Sequence, residues 1–137
     1  MQLHNTTQYA IRILSYIASQ DNESLSNATV LAATLDLPYK FLTKIMRELV
    51  VAGLVKSTRG RDGGYVLNKK ASDIKLVEIL EIFNDMLNDE YCVLGIGVCD
   101  NNNKCALHDQ WSQPKTLLQD MFKNTSLQDL IGRGSKF

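Results

Sequence analysis

Between Pro38 and Leu67 the hydrophobic period switches from helical to strand-like and then reverses across a glycine-rich turn, an order few folds accommodate. Phe41, Leu42, Ile45, Met46, Leu49 and Val50 recur at helical spacing and predict a helix from Pro38 to about Ala52. Pro38 suits the first turn, where its missing N–H has no intrahelical partner to lose. Gly53 ends the helix. Leu54-Val55-Lys56-Ser57-Thr58 and Tyr65-Val66-Leu67 then read as two strands joined by Arg59-Gly60-Arg61-Asp62-Gly63-Gly64. Asp62-Gly63 is expected to supply the positive φ values of that tip. Upstream, Ser26 or Asn27 caps a short helix through Thr34, with Val30 and Leu31 facing inward and Leu35-Asp36-Leu37 as the turn. On their own, the two helices are compatible with a plain hairpin carrying a solvated basic face. With the arginine-bearing β-hairpin behind them, they predict a winged helix-turn-helix.

The charge distribution points the same way. Formal net charge is zero, yet residues 38–70 carry eight basic against two acidic side chains. Residues 1–37 and 71–137 are net negative. An electropositive middle on a neutral chain suits a DNA-facing surface. Lys40, Lys44, Lys56 and Arg61 are expected on phosphates, and Tyr39, Thr43 and Arg47 near base edges in the major groove. Arg59, in a tip that includes Gly63, is expected in the adjacent minor groove.

The rest of the chain reads as helix. Tyr9, Ile11, Ile13, Leu14 and Ile17 predict a first helix over Asn5–Ser19, capped by Asn5 or Thr6, with a polar loop at 21–24. Ser72 or Asp73 is expected to cap a helix from Ile74 to Phe83, packed through Leu76, Ile79, Leu80 and Phe83. After Lys104 the chain turns helical again. Leu107, Trp111, Leu118, Met121 and Phe122 form an apolar face for a second copy of the chain, the alternative being that it folds back on the first helix. Pro114 is expected to kink or break that helix, with Ser112 able to cap a restart. Thr125 or Ser126 caps a last turn through Ile131, before a loose tail. The predicted class is mostly α. Residues 1–83 form the winged helix-turn-helix domain, 84–108 a cysteine-rich cluster-binding loop, and 109–137 a dimerisation helix and tail.

That loop holds every cysteine of the protein, in the spacing Cys92-x6-Cys99-x5-Cys105-x2-His108. Gly95, Gly97 and Asn101-Asn102-Asn103 lie between the thiols, which leaves no helix or strand pattern. Structural zinc sites pair their ligands two to four residues apart, and no such pair exists here. Long glycine-containing spacers suit a larger object, and thiolates are the usual ligands of iron–sulfur clusters. His108 is a candidate fourth ligand, projected beside Cys105 by the incipient helix. Three reduced thiols, or a thiol–disulfide switch, are the alternatives. The N-terminus lacks a signal-peptide layout and no apolar run spans a bilayer, so a cytoplasmic chain with no membrane partner is expected.

Several segments together carry a family resemblance. They are the Met-Gln-Leu opening with Tyr9-Ala10-Ile11-Arg12, the run Leu54 to Leu67, the three cysteines, and Thr125-Ser126-Leu127-Gln128-Asp129-Leu130. In these the chain resembles, over nearly its whole length, the winged-helix iron–sulfur regulators that include IscR, NsrR and RirA. The resemblance implies a homodimer with a long crossing helix and double-stranded operator DNA held by the third helix and wing. It also implies a cluster that governs DNA affinity or site choice. IscR-like members place a histidine three residues after the third cysteine, as His108 stands here, with Trp111 three further on. That match implies a two-iron two-sulfur cluster on Cys92, Cys99, Cys105 and His108. NsrR-like members with a four-iron cluster take an aspartate near the N-terminus from the partner subunit, where this chain has Gln8. The first spacer is one residue longer than in IscR-like members and Pro114 is unexpected, so a four-iron four-sulfur cluster stays open. IscR-like members read bases with an acidic residue where Thr43 stands, so operator preference does not carry over. A nucleotide-binding glycine motif, paired carboxylates and a Ser/His/Asp set are all missing, and an enzyme is not expected. The rival reading is a cluster-free winged-helix regulator that responds through its thiols or a small ligand.

Overall fold

The computed structural model describes residues 2–20, 24–85 and 91–131. Most of the 21–24 loop, the segment leading into Tyr91 and the tail from 132 lie outside the described residues. Six helices and one hairpin appear in chain order: α1 Asn5–Ser19, α2 Ala28–Thr34, α3 Tyr39–Val51, β1 Val55–Thr58, β2 Gly64–Leu67, α4 Leu76–Ile82, α5 His108–Asn124 and α6 Leu127–Ile131. A 3₁₀ turn, Ala71–Asp73, precedes α4.

One apolar core joins the N-terminal helices to the far end of the chain. Ile13, Leu14, Leu31, Leu42, Ile45, Met46, Leu49, Ile74, Ile79 and Leu127 are all fully buried in it. Each such side chain contributes about 1.5–3 kcal/mol through burial. The stripe expected on α3 forms the centre, with Phe41 and Val50 half-buried at its margins. Tyr9 meets Phe41 edge-to-face at 5.5 Å and carries the Arg12 guanidinium over its ring. Arg12 also donates to the Leu35 carbonyl at the end of α2 (3.5 Å), so the conspicuous Tyr9-Arg12 pair serves to hold the helix-turn-helix together.

Several local expectations need correction. His4, not Asn5 or Thr6, stands at the N-cap of α1, and no side chain caps it. Asn27 caps α2, accepting from the N–H groups of Thr29 (2.8 Å) and Val30 (3.4 Å). Val30 is 55% exposed and turns outward, because on so short a helix only Leu31 and Ala32 reach the core. Pro38 is the N-cap of α3 rather than its first helical residue. Ser72 and Asp73 sit in the 3₁₀ turn, and α4 starts from Lys75, whose N–H is accepted by Glu78 Oε1 at 3.0 Å. Glu78 also receives Lys69 Nζ at 2.9 Å.

The wing is a two-stranded antiparallel hairpin in the register Val55↔Leu67, Lys56↔Val66, Ser57↔Tyr65, Thr58↔Gly64. Ser26 adds a third edge, exchanging N–H···O bonds with Tyr65 at 2.8 and 2.9 Å. The tip differs from expectation: positive φ falls at Gly60 (+114°), and neither Asp62 nor Gly63 adopts it. Gly63 is required for space instead. A Cβ there would lie 2.1 Å from the Thr58 carbonyl oxygen.

Helix α5 runs unbroken through Pro114, in contrast to the expected kink or restart. The ring removes only one backbone donor, while Thr116 and Ser112 hydroxyls add bonds to the carbonyls of Ser112 (3.0 Å) and Asp109 (3.4 Å). Its apolar face divides. Phe122 packs on the core, Trp111 and Leu118 are half-buried, and Leu117 and Met121 are 63% and 48% exposed. The chain then returns: Leu76 N–H bonds to Thr125 O (2.9 Å), Leu127 N–H to Ile74 O (3.0 Å), and α6 packs on α1. Ser126 caps α6 through Asp129, which accepts from both its N–H and its hydroxyl at 2.8 Å. Among the described residues no helix is long and apolar enough to cross a membrane.

Candidate functional site

Two surfaces carry the residues singled out by the sequence. The first is the outer side of α3 with the wing. Tyr39, Lys40, Lys44, Arg47, Lys56, Arg59 and Arg61 are all exposed, and Thr43 and Gly63 are half-buried. Helical spacing divides α3 into two flanks. Thr43 and Arg47 border a cleft of about 350 Å³ whose other wall is Ser57, Arg59 and Tyr65 of the wing. Lys44 lies on the opposite flank, beside Glu48 in a separate cavity with His4, Phe41 and Phe83. The cleft between helix and wing therefore brings together Thr43, Arg47 and Arg59, but not Lys44. Sequence reasoning missed Val50, Val51 and Tyr65 as cleft residues. Val51 is 81% exposed and follows Thr43 and Arg47 at i+4 steps, a signal available in the sequence. Tyr65 is held as a neutral phenol, its pKa raised by burial and then by Tyr39 nearby.

The second surface is the cysteine segment. It is a closed loop rather than a loose one: Tyr91 and Val98 pair as an antiparallel bridge, and Cys92 N–H bonds to Gly97 O at 3.0 Å. Gly95 N–H returns to Cys92 O at 2.9 Å, and the turn depends on Gly95 (φ +69°) and Gly97 (φ +78°). Asp100 then organises the asparagine run, its carboxylate accepting Asn102 N–H at 2.9 Å. His108 opens α5, with its N–H on Cys105 O at 3.1 Å.

The four candidate ligands meet in two pairs. Cys92 Sγ lies 3.3 Å from Cys105 Sγ, and Cys99 Sγ lies 3.5 Å from His108 Nδ1. The imidazole meets Cys99 through Nδ1, a partner the helical projection did not indicate, while the His108 N–H stays on Cys105 O as expected of an incipient helix. All four line one cavity of about 310 Å³. The Cys92 thiol is pulled below its usual pKa by the Leu94 N–H, then by Cys105, with smaller help from Ile96 N–H and Lys115. The Cys105 thiol is pushed up by Cys92. Among the described residues no three His, Cys, Asp or Glu side chains come close enough to hold a single metal ion.

Two further residues belong to this site. Asn101 Oδ1 lies 2.9 Å from His108 Nε2. Lys115, only 8% exposed, follows His108 by seven residues, two turns along α5. The asparagine run in the sequence looks like simple loop polarity, and Lys115 like one more surface cation. Only the i+7 spacing from His108 hinted that Lys115 shares its face.

Comparison with known proteins gives a consistent result. Residues 3–133 match the Rrf2 family, described as iron-dependent transcriptional regulators. The chain is 35% identical over 133 residues to a protein of Aquifex aeolicus (strain VF5) named as a helix-turn-helix transcriptional regulator, covering 96% of this chain and 92% of that one. It is 30% identical over 141 residues to the helix-turn-helix transcriptional regulator NsrR of Halalkalibacterium halodurans, covering 96% and 90% of the two chains. Its fold is similar to that of CymR, the global cysteine regulator of B. subtilis, with a TM-score of 0.83 at 23% identity over 98% and 99% of the two chains. A winged helix-turn-helix with a basic outer face and a match across residues 3–133 leave one conclusion: the chain belongs to the Rrf2 family of DNA-binding transcriptional regulators, which are not enzymes.

Proposed function

We propose that this chain acts as a homodimer whose affinity for double-stranded operator DNA is set by a two-iron two-sulfur cluster on Cys92, Cys99, Cys105 and His108. The observation that carries the reading is the pairing of donors around one cavity: Cys92 with Cys105, and Cys99 with His108. A binuclear cluster needs two protein donors on each iron, which is what two pairs offer. A four-iron cube takes one protein donor per iron, and the pairing favours it less. When bound, the cluster supplies a centre that reacts with oxidants and nitric oxide and whose loss frees four protein donors.

The chain's own residues supply the coupling. Cys105 and His108 belong to the entrance of α5, and α5 packs on α4, which packs on α1 of the reading domain. Holding or releasing the 92–105 loop therefore acts on the first turn of a helix that abuts that domain. Leu117 and Met121 on α5 offer an apolar face to a second copy. Two-fold pairing would set two α3 helices about one turn of DNA apart. Regulation then appears as a difference in DNA affinity between the two states.

The test uses duplexes selected from a randomised pool by anaerobically purified protein. Cluster-loaded and metal-stripped samples are expected to differ in affinity by about tenfold or more, or to select different sequences, about 1.4 kcal/mol of coupling. The logarithm of affinity should fall steeply with salt in both. Identical affinities and identical selected sites would contradict cluster control.

One observation favours a second reading, a thiol switch without a cluster. Cys92 and Cys105 lie within 3.3 Å. A hydroperoxide would oxidise one thiol to a sulfenic acid, releasing the alcohol or water, and the other thiol would close the disulfide with loss of water. Peroxide-treated metal-free protein is then expected to join tryptic peptide 76–104 to peptide 105–115 while Cys99 remains alkylatable. The same link persisting in Cys92→Ser would sink that pairing.

A further inference from the structure

We infer that Asn101 is a positioning residue: it holds His108 in the tautomer and orientation that leave Nδ1 free to bind iron. The inference rests on the cluster reading above, but its geometry stands apart from it. His108 is 7% exposed, and both ring nitrogens have a protein neighbour. Nε2 meets Asn101 Oδ1 at 2.9 Å, and Nδ1 meets Cys99 Sγ at 3.5 Å. A carbonyl oxygen only accepts, so Nε2 must carry the proton in this arrangement. In a neutral ring Nδ1 then keeps its lone pair and accepts the Cys99 S–H. Replacing that thiol proton by iron leaves Nδ1 and the Cys99 thiolate side by side as donors. With the amide turned the other way, Nδ2 would donate to Nε2, the ring proton would move to Nδ1, and His108 would not bind iron through that atom. Nitrogen ligands are commonly fixed by such a bond on their second nitrogen.

Asn101 is itself held. It sits between Asp100, whose Oδ1 accepts the Asn102 N–H at 2.9 Å, and Asn103, whose N–H reaches Asp100 O at 3.3 Å. The turn keeps the Asn101 amide at the Nε2 edge of the imidazole, although the residue is exposed and contributes nothing to the core. That gives the asparagine run a role beyond solubility.

The test compares wild type, Asn101→Ala, Asn101→Asp, His108→Ala and the double variant Asn101→Ala/His108→Ala. In metal-free protein, ¹⁵N NMR of His108 at a pH where the ring is neutral is expected to show Nε2 protonated and Nδ1 bare in wild type. In reconstituted protein, Asn101→Ala is expected to lose iron to a chelator about tenfold faster, the usual size of such an effect. Asn101→Asp keeps an acceptor and should restore slow loss. On the His108→Ala background, Asn101→Ala should add nothing. A wild-type ring protonated on Nδ1 would overturn the inference, as would an equal acceleration by Asn101→Ala with and without His108. A wild type that takes up no iron would defeat the cluster reading, while the ¹⁵N spectra of wild type and Asn101→Ala compared in metal-free protein still decide the role of Asn101: an unchanged tautomer population would overturn it.

Discussion

Leu127→Ala is expected to lower the stability of the chain by about 3 kcal/mol, within the ~2–5 kcal/mol span of leucine truncations in close-packed cores. Leu127 is fully buried although it lies only a few residues from the end of the described chain. Its backbone is fixed by the bond from its N–H to Ile74 O, and its helix is capped by the Ser126–Asp129 exchange. The helix packs on α1, so the residue belongs to the same core as Ile13, Leu14 and Met46. A cavity there has little freedom to collapse, because helices anchor its walls. Chemical denaturation of the metal-free protein measures the effect. A midpoint within error of wild type would mean that α6 does not seal the reading domain in solution.

Arg59→Ala is expected to weaken operator binding by about 1–3 kcal/mol, roughly fivefold to a hundredfold. Arg59 is exposed on the wing and faces Arg47 across the cleft between hairpin and α3. An arginine that enters a narrow minor groove loses more than one phosphate contact on truncation, and base preference beside the half-site should relax. Lys44→Ala provides the contrast. Lys44 lies on the other flank of α3 next to Glu48, so its loss should weaken all duplexes uniformly and reduce the salt slope by about one. Fluorescence anisotropy on selected and scrambled duplexes at several salt concentrations separates the two. Equal affinity of Arg59→Ala and wild type would remove the wing from the reading surface.

Much of this architecture was legible in the residues because periodicity and burial are the same signal. The stripe Leu42, Ile45, Met46 and Leu49 marks α3, and the Arg59–Gly64 turn marks the wing. What escaped were choices settled by tertiary contacts. Gly63 was read for its backbone freedom, yet it is the approach of Thr58 O that excludes a side chain there. Val30 had the spacing of a core residue, but α2 is too short to bury a second row. Pro114 had the look of a breaker, and the helix absorbs it. In the cysteine segment the ligand candidates were visible as residue types, while their pairing was not. Spacing along the chain placed His108 near Cys105, where its N–H bonds; that Cys92 Sγ meets Cys105 Sγ and that Nδ1 of His108 meets Cys99 Sγ are tertiary contacts with no sequence period. Asn101 carried no signal, because a hydrogen bond across seven residues of loop has no periodicity.

The most direct measurement is the iron and acid-labile sulfide content of anaerobically reconstituted protein, with its visible spectrum, for wild type beside Cys92→Ala and His108→Ala. The two-pair arrangement predicts two irons and two sulfides per chain, loss of the cluster in Cys92→Ala, and a shifted spectrum in His108→Ala. Four irons per chain with no response to His108→Ala, or a colourless wild type, would contradict it.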